Sequence, residues 1–440
     1  MNPQGLLSGA ENLVRRALAN GADEAEVFAA ASRSMSVEIE AGEVAMTSMD
    51  DGRGVALRII KGGRLGFAYA SNPDDAKIVD AAIRLSRSAP DRGYSFPSPT
   101  TYHDLALWND DVAAMDPSTL QNLVADLRQG ATESAPNATM SGGVSLDAAA
   151  FAIASSAGVA TCGRSTSAEA SASLVLNGTP TVSVADGRDA IGIPDAYAAA
   201  CDVGDMVMRL SKPEPLHKTV NLPVVLLPMA AAELVGGLLG NAIMGDNAQR
   251  GRSIWADQLD TAVLSPNLSL YDDPLVATPE GTFCDDEGMA TQRLPIVENG
   301  VLRRFLYDSW DAHHFGAIAT PSAIRSGTTG PPQTGTHRLS IEVAGAKKLD
   351  ALLADVGEGL LIHSVLGAHT ANEVTGEFSV TAPNVFHIRD GQWGPATQDV
   401  ALAGNLPHLL RNLNGGSTER RELGGAVLGA LWLDGVSVSV

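Results

Sequence analysis

The sequence has little cysteine, too few positive charges to balance its acids, and no long apolar run; each shortage removes a class of protein. Its three cysteines, Cys162, Cys201 and Cys284, are odd in number and far apart, which fits neither a disulfide framework nor a zinc ribbon. A reducing cytoplasm is the expected compartment. Lysine and arginine total 30 against 51 acidic residues, a formal charge of −21, so the average surface repels polyanions and nucleic acid is not an expected partner. The apolar N-terminal stretch is broken by Glu11, Arg15 and Arg16, and no later run reaches the ~20 residues needed to cross a bilayer, so no membrane association is expected. Gly-x-Ser-x-Gly elbows, lysine-serine phosphate loops and fixed-period repeats are missing too.

What remains is a chain of 440 residues, 45% of them hydrophobic, long enough for two domains. Apolar residues recur at helical spacing from Leu6 to Leu18, and Gly21 stands where a C-cap glycine stops a helix. The segment from Gly54 to Tyr69 predicts two strands around the turn Lys61-Gly-Gly-Arg64, with helices from Ala76 and over Pro117 to Leu127. Between Met140 and Val184, small residues alternate in further sheet. Two prolines in Ser211-Lys-Pro-Glu-Pro-Leu-His-Lys218 mark a linker. The expected fold class is therefore α+β: an N-terminal domain of antiparallel hairpins and helices over 1–210, a linker over 211–219, and a large β-rich C-terminal domain over 220–440. The latter is expected to open with a buried strand, Val220 to Leu227, and one helix, Ala230 to Met244.

Several segments resemble the TldD/PmbA peptidase-associated family. Gly52-Arg-Gly-Val-Ala-Leu-Arg and Gly63-Arg-Leu-Gly-Phe-Ala-Tyr match its N-terminal hairpin. Leu270-Tyr-Asp-Asp-Pro, Phe283-Cys-Asp-Asp-Glu-Gly, Ile296-Val-Glu-Asn-Gly, Thr375-Gly-Glu-Phe-Ser and Ala403-Gly-Asn-Leu follow in the family's order. In the TldD branch the resemblance implies a zinc peptidase with a His-Glu-x-x-x-His helix and a later cysteine. Two imidazoles and a thiolate hold the ion there, and the glutamate acts as base on zinc-bound water. Here the matching helix reads Ala232-Glu-Leu-Val-Gly-Gly237: Glu233 survives, Ala232 and Gly237 replace both histidines, and no thiol follows Cys284. This pattern is similar to the PmbA (TldE) branch. It implies a chain without metal, cofactor or catalytic residues of its own, which pairs with a TldD-type metallopeptidase subunit or self-associates and encloses extended peptides. Alternatives are a homodimeric peptidase with a non-standard site and a peptide-binding regulatory module.

Other clusters carry weaker chemistry. His313 and His314 are adjacent and diverge on a helix; Asp272-Asp273 and Asp285-Asp286-Glu287 sit beside Pro or Gly, where aspartate caps turns. His363, His369 and Glu373 suggest a metal set, with loop and cavity-lining roles favoured, and Cys284 has no histidine beside it. A substrate groove is expected at Thr375, Gly376, Phe378 and Ser379, where a glycine turn leads into a strand whose edge can accept a peptide as an added strand.

Overall fold

Gly62 and Gly63 both adopt positive φ, 56° and 71°, the conformation that a tight two-residue hairpin turn demands. They join the second and third strands of an antiparallel sheet in the computed structural model, which describes residues 1–439 except 73, 76, 91–92, 179–180, 217–221 and 398. The strands are β1 (Glu24–Glu40), β2 (Glu43–Lys61), β3 (Arg64–Ala70), β4 (Thr139–Ser155), β5 (Ala160–Leu176) and β6 (Val182–Ala190), in spatial order β3-β2-β1-β4-β5-β6. One face is covered by α1 (Pro3–Ala19) and α2 (Lys77–Ser86), which bury Leu13, Ile78 and Ile83 against Val27, Leu57 and Ile59. Helix α1 starts with the Asn2 side chain accepting the Gly5 N–H and Pro3 in the first turn; it ends before Gly21, at φ 89°. The expected C-cap glycine is therefore in place.

Farther along the same face lie α3 (Pro117–Ser134) and α4 (Ala196–Leu210), against Met35, Val37, Leu146 and Leu174. Two larger sheets follow, with a two-stranded ribbon of Ala323–Ile324 and Gln333–Thr334. A six-stranded one runs Val301–Leu302, Leu294–Glu298, Leu268–Asp272, Leu339–Val343, Ala426–Leu428, Arg421–Leu423. An eight-stranded one runs Gly415–Gly416, Leu431–Leu433, Val224–Leu226, Gly359–Leu366, Glu377–Arg389, Val400–Asn405, Ser437–Ser439, with Gln392–Thr397 also paired to Glu377–Arg389. The architecture is α+β with mostly antiparallel sheets, as its alternating segments suggested.

The two halves share a core. Val203, Val207 and Leu210 of α4 pack with Leu146 and Leu174 of the first sheet and with Phe386, Ile388 and Ala396 of the eight-stranded sheet. Helix α4 is thus a middle layer between two sheets. A buried ionic network adds a second bond between the halves: Arg58 on β2 pairs with Glu26 at 2.5 Å and with Glu287 at 2.8 Å, and Arg325 reaches Glu26 at 2.9 Å. Such groups are tolerated inside only because each charge is met by another.

Two expectations need correction, the opening strand of the C-terminal half and the helix after it. The strand predicted from Val220 to Leu227 is confined to Val224–Leu226, and residues 220–221 lie outside the described residues. The predicted linker is pinned at Glu214, whose N–H donates to the Ala396 carbonyl at 2.8 Å, while its residues 217–219 also lie outside them. The helix predicted from Ala230 to Met244 is not regular: α-helical Pro228–Ala231 passes through a π turn, Ala232–Gly236, before α-helical Gly237–Ala242.

Candidate functional site

The π turn, Ala232–Gly236, falls on the segment expected to be a degenerate zinc motif. On a regular α-helix two residues five apart point about 140° away from each other. Bonding from i to i+5 brings such residues back onto one face, and π turns of this kind mark functional sites. Ala232 and Gly237 stand in that relation. A side chain added at Gly237 would meet nothing within 4 Å, so this face opens outward. The backbone geometry suited to a five-spaced ligand pair is present, and the donor atoms are not. Methyl and hydrogen bind no metal, so the residues do not fit a zinc ion.

Glu233 has a different use. Its carboxylate accepts the Val365 N–H at 2.9 Å, tying the π turn to the Gly359–Leu366 strand. The side chain is exposed overall, but loss of water around its carboxyl pushes the pKa up, and the Val365 N–H offsets part of the rise. Two turns later Asn241 donates to the Glu373 carboxylate at 2.7 Å. The motif helix and the turn before Thr375 are therefore neighbours, which their 130-residue-scale separation in sequence gave no means of seeing.

That turn is built by Asn372, whose side-chain oxygen accepts the N–H groups of Val374 and Thr375 at 2.9 and 3.0 Å. Gly376 closes it at φ 75°, and a Cβ there would collide with Pro407. Thr375 and Ser379 are exposed, whereas Phe378 is 5% exposed and packs in the main C-terminal core with Val380. Phe378 is therefore a core residue, a correction to its expected place in a groove. Residues 377–382 pair with Val400–Asn405 on one edge; on the other, pairing with Gly359–Leu366 begins only at Thr381. The surface this segment offers is Thr375, Ser379 and the flanking Glu373 and Glu377.

The remaining clusters separate. His363 is 7% exposed and lines a cleft between the halves, while His369 is exposed in the turn Ala368–Thr370. His313 and His314 lie in the helix Ser309–Phe315, with the His313 ring 6.0 Å from that of Tyr94. Asp285 accepts the N–H groups of Glu287 and Met289 within its own turn, as expected, whereas Asp272 ends a strand and accepts the N–H groups of the distant His337 and Arg338. Glu287, by contrast, serves the buried network with Arg58. Cys284 is buried beside Phe28 and Ile153, and burial, then Asp285 and Asp286, drive its thiol pKa well up, the opposite of an activated nucleophile. Among the described residues no three His, Cys, Asp or Glu side chains are grouped to hold a metal ion, and no helix is long and apolar enough to cross a membrane.

The sequence carried one unread signal for the π turn. Apolar pairs recur every four residues, at Ala230/Ala231, Leu234/Val235, Leu238/Leu239 and Ala242/Ile243, and all eight are buried. A regular helix repeats every 3.6 residues and would rotate such pairs off the core within three turns. An inserted residue per bulge resets the phase.

Comparison with known proteins places these features. Residues 219–440 match the model of the PmbA/TldA metallopeptidase C-terminal domain, and residues 25–89 match that of PmbA/TldA metallopeptidase domain 1. An uncharacterised protein of Methanocaldococcus jannaschii is 27% identical over 393 residues, covering 88% of this chain and 90% of its own. The metalloprotease PmbA homolog of Haemophilus influenzae is 29% identical over 53% of this chain and 49% of its own. The crystal structure of TldE from Thermococcus kodakarensis superposes with a TM-score of 0.88 at 24% identity, covering 98% of this chain and 100% of that one.

Proposed function

The chain belongs to the PmbA/TldA metallopeptidase family, also called TldD/PmbA, and we propose that within it this protein is a metal-free subunit of the PmbA (TldE) type. In this reading it encloses and positions extended peptides in the cytoplasm while a TldD-type subunit supplies the zinc and cuts. The observation that carries the reading is the motif helix: its π turn and Glu233 persist, while Ala232 and Gly237 remove both donors from the face they share. Glu233, without a metal to serve, makes a structural bond to Val365. Thr375 and Ser379, beside this helix, are proposed to meet the peptide.

The test is complementation. The purified chain is mixed with a TldD-type protein, and cleavage of an unfolded peptide is followed. Cleavage well above that of either protein alone supports the subunit reading. Cleavage by this chain alone would favour a homodimeric peptidase, and peptide binding without gained cleavage would favour a regulatory module. Against the homodimeric reading, the imidazole of His363 and the thiol of Cys284 belong to separate regions, the inter-half cleft and the Phe28 cluster.

A further inference from the structure

We propose that the chain carries a surface for pairing with a second copy of itself, formed by a recess beyond the helix Gly237–Ala242 and by Ile318 at its rim. The recess, about 920 Å³, runs from Ala248 and the turn at Ala256 to the segment Arg303–Tyr307. Leu294, Phe305 and Tyr307 give it apolar walls. Ile318, 88% exposed, is the most exposed large apolar residue among those described, and Leu259, 49% exposed, lines the same recess. Single exposed apolar residues are ordinary, but two beside an apolar recess mark an interaction surface.

The backbone holds Ile318 out. Gly316, at φ 67°, ends the helix Ser309–Phe315; the Ala317 N–H donates to the Ala312 carbonyl at 2.8 Å, and the Thr320 N–H donates to the Tyr307 carbonyl at 2.9 Å. A loop already fixed at both ends loses little freedom when a partner covers it.

The charges of the recess identify the occupant. Arg303 pairs with Asp260 at 3.5 Å and with Glu298 at 3.8 Å. Arg304 and Asp257 form no ion pair among the described residues, and Nε of Arg304 is shielded from water with no hydrogen-bond partner. One surface thus presents an apolar knob, an apolar hollow, a spare cation and a spare anion. In an interface built on a two-fold axis each contact occurs twice with the roles exchanged, so a second copy satisfies all four features. Ile318 of each copy enters the other's recess, and Arg304 of each meets Asp257 of the other. An acidic ligand would leave Asp257 unpaired, and a basic one would leave Arg304.

The experiment is sedimentation equilibrium of the full chain between about 1 and 100 μM, where a dimer of micromolar Kd is expected. Ile318→Asp is expected to weaken the dimer at least about tenfold. Arg304→Glu and Asp257→Arg are each expected to weaken it about tenfold, because each touches two symmetry-related pairs. The chain carrying both reversals is expected to recover to within about threefold of the natural affinity. Thermal melting checks that every variant folds. A chain that stays monomeric, Ile318→Asp dimers as tight as the natural ones, or a double reversal as weak as either single one would each overturn the proposal. If Ile318→Asp keeps its dimer but loses the proteolysis gained with a TldD-type protein, the surface belongs to that partner, and self-pairing is again overturned. Self-association is read without a metallopeptidase, so its failure leaves the subunit reading untouched.

Discussion

The Glu233 carboxylate accepts the backbone N–H of Val365, 2.9 Å away, so this side chain bonds its own fold. Replacement by glutamine keeps an acceptor at that place. Glu233→Gln should therefore leave partner-dependent proteolysis unchanged. Glu233→Ala, which strands the N–H, should cost about 1 kcal/mol in denaturant unfolding. Loss of proteolysis in the folded glutamine variant would mean that the carboxylate does chemistry.

Gly237 has helical φ and ψ, −62° and −48°, with open space where a Cβ would go. Nothing in the fold requires glycine there. Gly237→Ala should raise stability by roughly 0.5–1 kcal/mol, the helical cost of glycine. A fall in melting temperature would show that the exposed face is covered in solution.

Asp308 caps the helix Ser309–Phe315 by accepting the Asp311 N–H, and burial, then Glu287, raise its pKa to about 7. Since the folded value lies above the unfolded one, the stability this group contributes is complete below about pH 4 and is lost as pH rises through 7. Asparagine preserves the cap without the charge. Asp308→Asn should stabilise the chain at pH 8 by roughly 2–4 kcal/mol and flatten its stability between pH 5 and pH 8, as read from urea titrations. An unaltered pH profile would refute this.

Phe378 and Ser379 are adjacent and point to opposite sides of one strand, so they divide core from proposed groove. Phe378→Ala should cost about 3–5 kcal/mol by opening a cavity. Ser379→Arg should leave melting within a few degrees and lower complemented proteolysis severalfold. Normal cleavage by the arginine variant would remove this strand from the peptide path. Gly376→Val is a poor probe, because Pro407 and the positive φ make it a test of folding.

Much of the N-terminal half was legible because its signals are local: Gly62-Gly63 for the hairpin, Asn2 and Pro3 for the start of α1, and alternating small residues for β4 and β5. That Ala232 and Gly237 carry no donor atoms was legible for the same reason, since it concerns what two side chains are made of. The π turn was not, because a four-residue period was read as ordinary helix. Nor was the pairing of Asn241 with Glu373, or the burial of Arg58 between Glu26 and Glu287, because contacts between distant segments leave no mark in composition or spacing. Phe378 was misplaced because alternation tells which residues share a face, and not which face is covered.

The position of α4 between two sheets sets an order on the chain's birth. Its inner side can settle on β5 and β6 as soon as residue 210 is made, but its outer side needs Glu377–Arg389 and Gln392–Thr397, almost two hundred residues later. On a ribosome adding ~5–20 residues per second, Val207 and Leu210 must wait roughly 8–40 seconds for their cover. During that interval the nascent N-terminal half presents an apolar helix to the cell, a natural handle for chaperones.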